Sequence, residues 1–115
     1  MLVADDSRFM NIACKRILGT QDHLTVVGMA ADGEEAVQKA RDLEADVTVL
    51  DVRMPKLTGI EAARQITTSR PGTGIVMMSN YDDPEYIAET MKGGLSGKAY
   101  LLKSSVEDVY LLIRA

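Results

Sequence analysis

The run Val47-Thr48-Val49-Leu50 is apolar or β-branched at every position and stops at a carboxylate, Asp51. A run without polar alternation reads as a strand buried on both faces, the pattern of a central strand in a parallel sheet. Parallel strands cannot be joined by tight turns, so this stretch requires strands and crossover helices to alternate around it. In open α/β sheets, ligands bind beyond the carboxyl ends of the strands, which places Asp51 at the mouth of a site. Aspartate is also a common turn residue, so its meaning depends on what the other strand ends carry.

The rest of the chain meets the requirement. Strands are expected at Leu2-Val3-Ala4, over residues 24–30 and 47–50, over 74–78 ending at Ser79, and over 99–102 ending at Lys103. Ser7 is a good N-cap for a first helix over Arg8–Leu18, with Phe9, Ile12, Ala13 and Ile17 as its apolar stripe and Gly19 as its stop. Asp32, with Glu35 three residues on, opens a second helix carrying Ala36, Val37, Ala40 and Leu43. The capping box Thr58-Gly59-Ile60-Glu61 starts a third over residues 59–68. Asp82-Asp83-Pro84-Glu85 opens a fourth helix and Ser105 a fifth. Alternation of this kind implies right-handed crossovers and a doubly wound α/β fold. For five strands the expected arrangement is flavodoxin-like: a parallel sheet in the order 2-1-3-4-5 inside a three-layer α/β/α sandwich.

At 115 residues the chain reads as one domain, spanning 1–115. A net charge of −4 argues against binding nucleic acid through this surface, since phosphate binding wants a basic face. The single cysteine, Cys14, excludes an internal disulfide and fits a reducing compartment. No apolar run approaches the roughly 20 residues of a membrane span, and no signal peptide is visible, so no membrane contact and a cytoplasmic location are expected.

The strand ends now carry the argument. In the 2-1-3-4-5 order, Asp5 and Asp6, Asp51, Ser79 and Lys103 stand at the carboxyl ends of four adjacent strands. Three carboxylates brought together repel. A hard divalent cation and one lysine bring them to formal neutrality, and Mg²⁺ favours one or two carboxylates plus phosphate oxygens. Such a pocket can accept a phosphoryl group on a carboxylate as an acyl phosphate. There is no glycine-rich phosphate loop, no G-x-S-x-G and no Cys/His cluster, and the only histidine, His23, falls in a predicted loop.

At Asp5-Asp6, Asp51-Val52-Arg53-Met54-Pro55 with Gly59, Ser79 and Tyr100-Leu101-Leu102-Lys103, the chain resembles a receiver domain of a two-component response regulator, a CheY-like fold, over its whole length. The resemblance implies that Asp51 is the phosphoacceptor, supplied by a sensor histidine kinase. It implies that Asp6 is the chief metal carboxylate, with Asp5 assisting and the main-chain carbonyl of Arg53 as a further ligand. Mg²⁺ is the expected cofactor, with Mn²⁺ as a substitute. Ser79 would be the switch hydroxyl, Lys103 the phosphate-binding ammonium and Tyr100 the aromatic switch. Arg53 and Tyr81 flank the expected path of attacking water and are candidates for setting the phosphate lifetime.

The segment Lys103-Ser104-Ser105-Val106-Glu107-Asp108 is similar to the LuxR-type (NarL/FixJ) transcriptional regulators. That implies DNA binding only through an effector domain absent from this chain, and homodimerisation on phosphorylation. Two features depart from the family pattern: Ser104 stands where proline often follows the lysine, and the loop from Gly94 to Tyr100 is longer than usual. On this reading the chain is no enzyme beyond its own phosphorylation and dephosphorylation. The alternatives are a haloacid-dehalogenase-type phosphatase, for which Arg53 stands where a second aspartate is wanted, and a constitutive docking module.

Overall fold

The computed structural model describes residues 1–21 and 24–79 in full, and 98–102 as backbone. The elements are β1 (Leu2–Ala4), α1 (Arg8–Leu18), β2 (Gly28–Ala30), α2 (Gly33–Asp42), β3 (Val47–Asp51), α3 (Gly59–Ser69), β4 (Gly74–Ser79) and β5 (Lys98–Leu102). The sheet is parallel throughout and ordered β2-β1-β3-β4-β5, as the alternation predicts. The fourth and fifth helices, the glycine-containing loop and His23 lie outside the described residues.

The two-residue period of a strand splits the core into layers. Leu2, Ala4 and Leu50 pack with Ala36 and Ala40 of α2 and Ala62, Ala63 and Ile66 of α3 on one face. Val3 and Val49 point the other way, joining Met78 and the α1 residues Met10, Ala13 and Cys14. Both faces of β1 and β3 are therefore covered, which is why their sequences show no polar alternation.

Local signals explain the helix starts. Ser7, Asp32 and Thr58 are the N-caps, each accepting a hydrogen bond from the backbone N–H three residues on. In α2 the Glu35 carboxylate reaches back to the Ala31 amide, at 3.2 Å, one residue earlier than the usual capping box. The C-terminus of α2 closes as a Schellman motif: Ala45 N–H donates to the Ala40 carbonyl and Glu44 N–H to the Arg41 carbonyl. Glu44 takes the left-handed position there, at φ 50°.

Two expectations are corrected. The second strand is Gly28–Ala30, not 24–30: β1 pairs with it only through Leu2, Val3 and Ala4. Before Gly28 the partner shrinks to Met1, whose carbonyl accepts the Val27 N–H and whose ammonium donates to the Thr25 carbonyl. The apolar stripe of α1 keeps Ala13 in the core and Ile17 packed against it, but gains Met10 and Cys14 in place of Phe9. Phe9 is 46% exposed, while Met10, Ala13 and Cys14 are buried. Ala13 and Cys14 let the helix sit close to the sheet, and the side chain left toward solvent is its one aromatic ring. Leu43 is likewise exposed at the end of α2.

Candidate functional site

Asp5, Asp6 and Asp51 offer ligand oxygens that all lie within 4.8 Å of one another. Each reaches that spot for a separate reason. Asp5 directly follows β1 and is fully buried; its N–H donates to the Ala30 carbonyl, and its Oδ1 accepts the Ser7 N–H at 2.8 Å. That Asx-type turn swings the chain from strand to helix and leaves Asp6 exposed. Asp51 is the last residue of β3, only 3% exposed, and its Oδ1 accepts the Arg53 N–H at 3.2 Å. The parallel register aligns Ala4 with Leu50, which brings the two strand ends level.

Two buried carboxylates and one exposed one form an all-oxygen donor set that opens to solvent at Asp6. Such hard donors fit a hard divalent cation, and mutual repulsion is what a cation would relieve. Ser79 ends β4 and is buried at 1% exposure. Met78 pairs with Asp51, so Ser79 stands one step beyond the acidic residue on the neighbouring strand. Leu102 pairs with Ser79 across β4 and β5. Lys103 follows it in sequence but lies outside the described residues, as do Tyr81, Ser104 and the side chain of Tyr100. Arg53 is exposed in the loop after β3, with its N–H turned to Asp51.

Three supports of this site emerge only in the structure, since the sequence marked Asp32 just as a cap, Gly59 just as a motif residue and Asn11 not at all. Asn11, on the buried side of α1, donates its Nδ2 to the carbonyls of Asp5 (2.9 Å) and Ala30 (3.0 Å). The only signal for it was a polar residue beside the apolar stripe. Gly59 packs so tightly that a Cβ there would lie 2.1 Å from the Asp51 carbonyl oxygen. Its N–H donates to the Val52 carbonyl, closing the loop from strand to helix. Asp32, the N-cap of α2 two residues beyond β2, holds its carboxyl below the usual aspartate range, chiefly through the Glu35 N–H and then through the Lys56 ammonium.

The sequence pattern of the response regulator receiver domain matches residues 1–112. The chain belongs to that family. This receiver is 34% identical over 108 residues to the transcriptional regulatory protein LnrK of Bacillus subtilis, covering 94% of this chain and 48% of that protein. It is 46% identical over 80 residues to a protein-glutamate methylesterase/protein-glutamine glutaminase of Thermotoga maritima, covering 70% of this chain and 23% of that one. Among solved structures, the signal receiver domain of the putative response regulator NarL from Mycobacterium tuberculosis superposes with a TM-score of 0.82 at 26% identity. That match covers 98% of this chain and 90% of that one. The receiver spans about half the length of the transcriptional regulators it matches. A transcriptional regulator such as LnrK and the NarL receiver agree with the LuxR-type (NarL/FixJ) resemblance of the segment from Lys103, and the relatives do not favour the phosphatase alternative. Among the described residues, no helix is long and apolar enough to cross a membrane.

Proposed function

We propose that this receiver takes a phosphoryl group onto Asp51 from the phosphohistidine of a sensor kinase, with Mg²⁺ held by Asp5, Asp6, Asp51 and the Arg53 carbonyl. The observation that carries the reading is the convergence of three carboxylates within 4.8 Å at the ends of two adjacent strands. Bound Mg²⁺, or Mn²⁺ in its place, would neutralise the carboxylates and the phosphoryl oxygens. An Asp51 carboxylate oxygen forms the new P–O bond as the P–N bond of the donor breaks, and the departing imidazole takes up a proton. Asp51 is rigidly placed for this by β3 behind it and by the Arg53 N–H bonded to Oδ1. Burial keeps bulk water from most of its surface. The Arg53 and Tyr81 side chains are proposed to meter later attack by water, and so the lifetime of the acyl phosphate.

The product carries added negative charge and three new acceptor oxygens. Lys103 and the Ser79 hydroxyl are the partners proposed for them. Movement of Ser79 toward the phosphoryl group would vacate the space that Tyr100 then fills, changing an external face used for homodimerisation or docking. The only chemistry ascribed to the chain is its own phosphorylation and dephosphorylation. DNA would be contacted by an effector domain outside residues 1–115 in a cytoplasmic regulator.

The test is incubation of the purified domain with Mg²⁺ and acetyl phosphate. Wild type should acquire an acid-stable, base-labile phosphate that chelation of Mg²⁺ prevents and Asp51→Asn lacks. Equal labelling of Asp51→Asn, or none of wild type, would overturn the reading, and a partner bound equally well by Asp51→Asn would point to constitutive docking.

A further inference from the structure

The loop that carries Asp51 and Arg53 into α3 is held from a second side, by the N-terminus of α2. Lys56 Nζ lies 3.5 Å from Asp32 Oδ2. Gly33 N–H faces the Pro55 carbonyl at 3.4 Å, and the same carbonyl accepts Leu57 N–H at 2.7 Å. The fit is close. A Cβ on Gly33 would stand 2.1 Å from the Leu57 carbonyl oxygen and 2.6 Å from its Cβ, so only glycine lets α2 seat against this turn.

Lys56 itself sits at φ 69°, in the left-handed region that glycine occupies without cost and a side chain does not. A residue held there persists when its surroundings over-determine it, and such residues concentrate beside functional sites. Glycine at 56 would remove the strain and also the ammonium. The observed lysine keeps the strain and gains the ion pair. Its partner Asp32 is only 17% exposed and already fixed as the N-cap of α2, so it is a rigid anchor for a flexible side chain.

We propose that Asp32, Gly33 and Lys56 form a latch between α2 and the loop after β3, and that Asp32 and Lys56 are positioning residues for the phosphorylation pocket. The latch sets where the turn at 55–57 lies, and through it the Arg53 main chain, whose N–H already holds Asp51 and whose carbonyl is a proposed metal ligand. The metal-binding part of this role rests on the function proposed above. The positional part does not.

The experiment is an NMR titration of the ¹⁵N-labelled domain with Mg²⁺, following the Arg53 amide before and after addition. Asp32→Asn keeps an N-cap acceptor while removing the charge, so the helix start is retained. Lys56→Met and Asp32→Asn should each shift the metal-free Arg53 amide and weaken Mg²⁺ binding by about two- to fivefold, the range of a solvent-exposed ion pair. The double variant should be no weaker than either single one, and Lys56→Arg should restore wild-type affinity. Gly33→Ala should weaken binding by about tenfold, the lower end for residues that support metal ligands. If wild type binds Mg²⁺ and the charge variants match it, or their effects add in the double variant, the latch is refuted. If wild type binds no Mg²⁺, the metal reading falls instead, and the metal-free Arg53 amide decides the latch: unmoved in both charge variants, it is refuted, and moved in both, its positional part stands.

Discussion

Replacing Gly59 by alanine tests how closely Asp51, the proposed phosphoacceptor, depends on backbone contact. A Cβ at 59 would lie 2.1 Å from the Asp51 carbonyl oxygen and 2.9 Å from Val52 Cα, where real Cβ contacts begin at 3.0 Å. The Asp51 carbonyl and the first turn of α3 must therefore part by about 0.9 Å, because close-packed interiors leave no slack to absorb the atom. Both sides of that contact are backbone, so no side-chain rotation relieves it. Displacement of a reacting group by about 1 Å can cost ~100-fold in rate, which is the expected fall in phosphorylation by acetyl phosphate at saturating Mg²⁺. Overpacking costs roughly 1–3 kcal/mol, while alanine recovers up to ~1 kcal/mol of helix propensity, so the net destabilisation should be about 1–2 kcal/mol. Urea unfolding followed by circular dichroism measures the second quantity, and single-turnover labelling of the folded protein the first. Gly72→Ala is the control, since nothing lies within 4 Å of a Cβ there, and it should be neutral in both assays. A Gly59→Ala protein that is phosphorylated within about twofold of wild type and is at least as stable would refute the argument.

Two further outcomes concern stability. Asn11→Leu removes two buried hydrogen bonds to the Asp5 and Ala30 carbonyls, and should cost about 2–3 kcal/mol in chemical denaturation, with weaker Mg²⁺ binding because Asp5 loses its clamp. Unchanged stability would mean that the amide is not needed there. Glu44→Gly relieves a left-handed residue at the exposed end of α2 and should raise stability by about 0.5–1 kcal/mol without altering phosphorylation; a lower melting temperature would contradict it.

The sequence was most informative where structure is local. Caps at Ser7, Asp32 and Thr58 and the unalternating runs of β1, β3 and β4 located most elements, because capping and strand burial depend on residues close together in the chain. It failed where a neighbour distant in sequence decided the outcome. Residues 24–27 have strand-forming side chains but only Met1 to bond with, since β1 begins at Leu2, and Phe9 fits the helical period but not the face that Val3, Val49 and Met78 present.

The residue types at the strand ends were likewise legible: Asp5, Asp6, Asp51 and Ser79 could be named as a group once strands and helices alternated. That the three carboxylates come within 4.8 Å was decided by the sheet, through the order β1-β3-β4 and a register that brings the ends of β1 and β3 level. The contacts that hold the pocket were decided there too. Asn11 spans two strand ends, Gly59 touches the Asp51 backbone and Gly33 touches Leu57. Chain order can specify which side chains are available, but a close approach between backbone segments exists only when the layers have packed against one another.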